Sequence, residues 1–293
     1  MSVVDVAMVG RLGTEALAAT GMGSMMFWGA LSLAIGIRTA VQTITARRLG
    51  QGLHKESGMA LRNGLALATL YSLPTSFFVW KYSDSLARFF IKDPSATPLT
   101  TDYVSIVFTG LLFSSYSFVF QGFFTGIEKT KIHMKVTVVS NVLNVYLNAG
   151  LIYGSSGVQE FFNEHLSTIS FLSNLWGWAN FPALSVKGAA IATLISSLWM
   201  AIHYAVSLLS KQTSKRYSVL RFSFDREMMK RQVQLALPQG LQESVIAIGW
   251  GVFYKIVGII GLVELATTEL LFTIMHASSV SYTHLTLPTK NEV

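Results

Sequence analysis

Apolar residues come along this chain in blocks of about twenty, separated by short polar or glycine-rich breaks. A helix rises about 1.5 Å per residue and needs about 20 apolar residues to cross the hydrocarbon core of a bilayer. Residues 22–46, 62–82, 103–125, 132–153, 188–209 and 233–258 reach or approach that length, and another such segment starts near Leu262. The opening "MSVVDVAMVG" is only half a span and runs into a glycine-rich turn, "VGRLG". It is read as the outer half of a first helix whose beginning is missing. Numbering that half as span one makes the others spans two to eight. The pattern predicts an all-α polytopic membrane protein.

The breaks orient the spans. Loops after spans two, four and six hold Arg47, Arg48, Lys55 and Arg62, then Lys129, Lys131 and Lys135, then a basic run from Lys211 to Arg231. The opposite loops hold only Arg11, Lys81, Arg88, Lys92 and Lys187. Basic loops stay on the cytoplasmic side, so loops two, four and six are expected in the cytoplasm. The connection 155–187 contains "EFFNEHLSTISFLSNLWGW", too polar to span. Its Phe and Trp content predicts either a helix lying at the membrane interface or a structured outer loop.

"VGRLGTEALAAT" reappears as "VGIIGLVELATT", with Val9 falling on Val257 and Gly13 on Gly261. Spans one and seven are therefore read as equivalent, each followed by the same turn. Six spans per repeat leave both halves in the same orientation, and transporters with such repeats place the substrate path between them. The expected division is an N-terminal lobe at 1–209 and a basic inter-lobe linker at 210–231. The start of a C-terminal lobe, span seven and part of span eight, follows at 232–279. From Val280 the chain reads "VSYTHLTLPTKNEV", which resembles the translation of a transposon-type sequencing adapter. Residues 280–293 are expected to be non-native, leaving span eight about 15 residues, too short to cross.

Composition adds exclusions. Charged residues make up 13% of the 293, against about 25% in soluble domains. The formal net charge of +7 is explained by the loops above and points to no nucleic acid. No cysteine is present, so disulfides and thiolate metal sites are excluded. No phosphate loop, metal cluster or nucleophile–base pair is visible, and the chain is not read as an enzyme.

Ionisable groups inside spans are costly and mark function by default. Asp5 lies five residues before Gly10, about 7 Å below the outer end of span one. Asn141, Asn144 and Asn148 of span five share one helix face, and Asn148 lies five residues before the outer end. Thr193 lies five residues into span six from the same side. Asp5, Asn148 and Thr193 thus share one depth, with Asn144 a turn deeper. Oxygen groups around one acid can hold a proton or a small hard cation. The same Asn residues also suit packing glue between helices. Weaker candidates for a substrate path are Asn141, Arg38, Gln121 on a stripe with Ser114, Ser117 and Thr125, and Gln239, Gln242 and Glu243 beside Pro238. Arg38 suits equally well a cavity or snorkelling to the cytoplasmic face. The three residues beside Pro238 suit equally well a cytoplasmic helix start. Lys255 is expected to reach outward to the membrane surface.

The stretches "VDVAMVGRLGTEALAATG", "ARRLGQG", "FQGFFTGIEKTKIHMKVTVVSNVLNVYLNAGLIYG", "VKGAAIATLISS" and "LALPQGLQESV" together resemble the multidrug and toxic compound extrusion (MATE) family. The resemblance implies twelve helices in two six-helix lobes, alternating access, and export of organic cations or amphipathic drugs against inward H⁺ or Na⁺. It implies a bacterial-type inner (plasma) membrane protein with no cofactor beyond the coupling ion, expected as a monomer. Asp5 matches the family's coupling acid, and Asn144 matches the Asn of an Asn-x-x-x-Asp motif. Asn148 stands where that motif has Asp, which removes a negative charge and favours H⁺ over Na⁺ at Asp5. Thr193 matches the family Thr through "GAAIAT", and Glu243 resembles an acid some members carry in span seven. Two alternatives stand beside the antiporter: a lipid-linked oligosaccharide flippase of the same superfamily, and a non-transporting receptor or scaffold.

Overall fold

Span two is longer than its apolar block. One 37-residue helix, α2, runs from Thr14 to Gly50, preceded by the eight-residue α1 (Ser2–Val9) and a 3-10 turn, Gly10–Leu12. The additional turns hold Ala16, Ala18, Ala19 and Gly21, which are buried inside the protein. Burial against other helices needs small residues and not high hydropathy, so these turns fell outside the apolar block. The computed structural model describes residues 2–220 and 225–285. Their remaining helices are α3 (His54–Phe90), α4 (Ala96–Thr109), α5 (Leu111–Gly126), α6 (Thr130–His165), α7 (Asn174–Gly177), α8 (Ser185–Leu208), α9 (Lys211–Tyr217), α10 (Arg226–Ile260) and α11 (Leu262–Leu285).

Four helices, α2, α6, α8 and α10, are each long and apolar enough to cross a membrane. The predicted span 103–125 is two helices, α4 and α5, bent by 48° and together apolar enough for one further crossing. The break sits at Gly110, where a Cβ would lie 2.9 Å from Leu194 Cδ1 and 3.1 Å from the Val107 carbonyl oxygen. Less apolar overall, α3 is sorted by side: Ser57, Asn63 and Ser72 are buried, while Leu70, Phe77, Phe78 and Trp80 are exposed. Polar inside and apolar outside is the arrangement a lipid-facing helix requires. Instead of stopping after about 15 residues, α11 continues as backbone helix to Leu285. The last eight residues of the adapter-like tail, 286–293, lie outside the described residues.

The connection after span five is a structured loop and not a single interfacial helix. Gly154 (φ 76°) kinks α6, which then continues to His165. A 3-10 segment, Ser167–Ser173, and α7 fold back onto α6. The return is held by Ser155 N–H donating to the Phe181 carbonyl (3.0 Å) and Trp176 Nε1 donating to the Tyr146 carbonyl (2.8 Å). Phe171, Leu175 and Trp178 remain exposed on this fold, as aromatic residues at a membrane interface do.

The basic turns gather at one end of the bundle. There Lys129 Nζ donates to Thr213 Oγ1 (2.9 Å), Arg62 Nη1 donates to the Ser218 carbonyl (2.6 Å), and Arg48 pairs with Glu56 (3.0 Å). Helix α9, inside the sequence-predicted linker, packs on α3, with the Tyr217 carbonyl seated on Gly58. At the opposite end the Gly10–Leu12 turn meets α6, where Arg11 lies over the Phe161 ring at 4.5 Å. These two ends are called the basic end and the turn end below.

The seam between α2 and α10 joins the first six spans to span seven. It is built from small residues: Ala236, Gly240 and Ser244 on α10 against Gly36 and Ser32 on α2. Gly36 lies against the Ala236 carbonyl and the Gly240 backbone, and Ser32 Oγ meets Ser244 Oγ at 2.7 Å. The repeat seen in the sequence has a matching backbone position. Gly13 and Gly261 each stand immediately before the helix that follows, α2 and α11.

Candidate functional site

An eight-residue helix is too short to be stable alone in water, so α1 depends on what it packs against. Val9 is buried in a cluster with Ala16, Tyr103, Ile152, Val186 and Ala189. Tyr153 Oη donates to the Met8 carbonyl at 2.5 Å. These contacts, from α2, α4, α6 and α8, fix α1 and place half-buried Asp5 beside α6.

There Asn148 Nδ2 donates to Asp5 Oδ1 and also to Asn144 Oδ1, the latter at 3.2 Å. Asn144 and Asn148 are fully buried. Asn148 Oδ1 and Asn144 Nδ2 have no hydrogen-bond partner among the described residues. A buried polar atom without a partner is costly, so the free Asn148 Oδ1 and Asn144 Nδ2 leave this cluster incompletely satisfied. Which way an Asn amide points is an assignment from its partners. With Nδ2 toward Asp5 the amide suits the carboxylate; turned over, Oδ1 would accept from the protonated acid. Each amide orientation thus matches one form of the acid, Nδ2 the carboxylate and Oδ1 the protonated carboxyl.

Thr193 is half-buried on α8, and no hydrogen bond joins it to this cluster among the described residues. The other sequence candidates lie elsewhere. Asn141 Nδ2 donates to the Thr137 carbonyl at 2.9 Å. Arg38 Nη1 donates to Gln121 Oε1 at 3.5 Å and its guanidinium lies over Phe118 at 5.6 Å. Gln239 Nε2 donates to Glu243 Oε1 at 3.2 Å, while Gln242 is exposed. Lys255 lies with Nζ over the Phe89 ring at 3.2 Å and is among the residues lining a cavity.

Two features were missed in the sequence. Glu269 of α11 is buried, accepts from Tyr254 Oη at 2.8 Å, and packs on Gly21 of α2. It lines a cavity of about 360 Å³ with Trp28, Trp250 and Phe272. His133, near the start of α6, meets Gln121 Nε2 at 3.0 Å and Tyr204 Oη at 2.5 Å. A signal for Glu269 existed: it is an acid inside the segment "LATTEL" that repeats "LAATGM", standing where the first copy has Gly21. A second, mostly apolar cavity of about 760 Å³ lies between α2, α3 and α10, lined by Met22, Met25, Met26, Phe78 and Phe90. Among the described residues, no group of three or more His, Asp or Glu could hold a metal ion.

Residues 1–149 match the family model MatE. The chain is 25% identical over 240 residues to the probable multidrug resistance protein NorM of Rhodopseudomonas palustris, covering 81% of this chain and 46% of that protein. It is 28% identical over 244 residues to the probable multidrug resistance protein NorM of Photorhabdus laumondii, covering 82% and 48%. The chain thus spans about half the length of the curated relatives it matches. Among solved structures, the inward-facing conformation of a multidrug resistance MATE family transporter of the MOP superfamily superposes with a TM-score of 0.77 at 23% identity, over 94% of this chain and 57% of that one. The outward-facing conformation gives 0.70 at 21%, over 96% and 64%. At these identities the likeness establishes the shared fold.

Proposed function

This chain belongs to the MatE family, and on that premise we propose that its protein is an antiporter exporting organic cations and amphipathic drugs by alternating access, driven by inward H⁺. The observation that carries the coupling is Asp5 joined to Asn148 and Asn144 in a buried cluster with one free acceptor. A coupling ion does work only if it binds the two states of the protein differently. Protonating Asp5 reverses the hydrogen-bond demand on Asn148 and so changes how α1 is tied to α6. Proton coupling is favoured over Na⁺ because Asp5 is the sole carboxylate of the cluster, and Asn148 brings no second negative charge.

The Met- and Phe-lined cavity of about 760 Å³ supports an amphipathic substrate, since flexible Met side chains accommodate varied shapes. In this reading the protein lies in a bacterial inner membrane with its basic end in the cytoplasm. Asp5→Asn, in the protein expressed from its native gene, is expected to abolish drug or dye export with expression unchanged. Export driven by a pH gradient at the wild-type rate in that variant would overturn the coupling role.

A further inference from the structure

The polar face of α6 does not end at the Asp5 cluster. Asn148, Asn144, Asn141, Thr137 and His133 follow one another at intervals of three or four. At 3.6 residues per turn all five fall within an arc of about 80°, along about 22 Å of helix. The side chains are linked for most of that length. Asn148 bonds Asp5 and Asn144; Asn141 bonds the Thr137 carbonyl; Thr137 Oγ1 stands 3.4 Å from His133 Nδ1. Asn141, Thr137 and His133 are each only half-buried, so water can stand along this part of the face.

His133 is held from two neighbouring helices. Gln121 of α5 approaches Nε2 at 3.0 Å, and Tyr204 of α8 approaches Nδ1 at 2.5 Å with its ring stacked on the imidazole. Gln121 in turn accepts from Arg38 of α2. With its oxygen taken by Arg38, the Gln121 amide presents N–H to Nε2, so the imidazole offers that nitrogen as an acceptor. The charged group facing it is Arg38, which itself interacts with Glu243 of α10. Lys131 and Lys135 flank it on its own helix, and Tyr204 is its other titratable neighbour. Imidazole is the side chain suited to taking and giving a proton near neutral pH.

We propose that the polar face of α6 is the route by which a proton leaves Asp5 toward the basic end, and that His133 is its exchange site. Asp5, itself half-buried, gives up the proton to water that reaches it along Asn141 and Thr137 and becomes a carboxylate. As the Gln121 N–H turns away from Nε2, His133 takes a proton from that water at Nε2, becomes an imidazolium and returns it to bulk water at the basic end. The inference rests on the proton-coupled reading above.

The test uses the protein expressed from its native gene and reconstituted in liposomes, with tetraphenylphosphonium as the probe cation. His133→Gln keeps the size and polarity of the side chain but cannot carry the charge. It is expected to bind the probe as wild type does and to slow proton-driven efflux at least about tenfold. Added imidazole in the lumen facing the basic end should restore the rate, because a diffusible base can replace a shuttle and not a structural contact. Thr137→Val, a change of one polar atom, should also slow efflux without altering probe binding. Efflux by His133→Gln at the wild-type rate, or slow efflux that imidazole does not restore, overturns the route. The antiporter reading is judged separately by Asp5→Asn: if that variant loses efflux while His133→Gln does not, only the route fails.

Discussion

Glu269 of α11 occupies the space that Gly21 of α2 leaves free. A Cβ at position 21 would lie 2.8 Å from Glu269 Cγ and 3.0 Å from its Cβ. Both distances are at or below the limit of real contacts, so an added methyl must displace the acid or separate the helices. The same acid bonds Tyr254 of α10, so α2, α10 and α11 meet at this one carboxyl. The repeat puts Gly21 and Glu269 at corresponding positions of the two halves, and the missing side chain of one accepts the side chain of the other.

Gly21→Ala is therefore expected to destabilise the protein. An alanine gains about 0.5–1 kcal/mol of helix propensity, but overpacking costs about 1–3 kcal/mol, and the second effect is the larger. Thermal unfolding in detergent should show a lowered midpoint. The cost should shrink when Glu269→Ala is added, since the colliding Cγ and carboxylate are then gone. Equal costs in both backgrounds would mean that the two residues are not coupled.

The seam at Gly36 makes a stronger demand. Its neighbours are backbone, the Ala236 carbonyl and Gly240 N and Cα, the latter two at 2.8 and 3.0 Å from a built Cβ. A side chain can turn aside, but two helix backbones can only move apart. Gly36→Ala should cost more than Gly21→Ala, about 2–3 kcal/mol, and Gly36→Leu should prevent α10 from seating on α2. Cysteine crosslinking between positions 32 and 244, whose hydroxyls now meet at 2.7 Å, reads the separation directly. Crosslinking that stays as fast in Gly36→Leu as in its parent would contradict the tight seam.

Much of the arrangement of the first six spans was legible because a membrane makes polar residues conspicuous. Asp5, Asn144 and Asn148 stood out against apolar surroundings, and a spacing of four put the two Asn on one face. Thr193 shares their depth but not their hydrogen bonds, since depth along a helix says nothing of the rotation that aims a side chain. His133 was not legible: it lies between Lys131 and Lys135, where a histidine reads as part of a basic loop. Glu269 was hidden for another reason. Its segment was judged by the polar run beyond it, whereas the backbone helix continues through that run. The bend at Gly110 was not read, because a single Thr109–Gly110 pair between Phe108 and Leu111 interrupts the apolar run too briefly to mark a break.

On the proposed coupling role, the residue at 148 sets which ion the Asp5 cluster takes. Its Nδ2 donates to Asp5, a contact that a carboxylate at 148 could not make without sharing a proton or a cation. Asn148→Asp is expected to create Na⁺ binding, with two carboxylates and the Asn144 oxygen as ligands. Na⁺ at ten times its dissociation constant should then stabilise the variant by about 1.4 kcal/mol, and should not stabilise the parent. Thermal midpoints measured across a Na⁺ series, with choline keeping the ionic strength constant, make the comparison. A variant indifferent to Na⁺ would show that the cluster cannot close around an ion.

Asp93 gives a pH dependence that can be read outside the membrane spans. It precedes α4, and its Oδ1 accepts from Ser95 Oγ (2.5 Å), Ser95 N (2.8 Å) and Ala96 N (3.2 Å). The Ser95 hydroxyl, then the two backbone N–H groups, hold this exposed carboxyl below its ordinary value. A carboxyl depressed in the folded protein stabilises it above the unfolded value, about 3.9. That contribution is lost as the pH falls through the lower folded value. The start of α4 should therefore fray in acid. Amide hydrogen exchange at Ser95 and Ala96, corrected for its intrinsic pH dependence, should show protection at about pH 6 that is lost toward about pH 2.5. In Asp93→Asn the amide oxygen still accepts but no longer titrates, so protection there should be weaker at about pH 6 and change little with acid. Protection in the parent that persists unchanged to the lowest pH would mean that the carboxylate is not what secures the helix start.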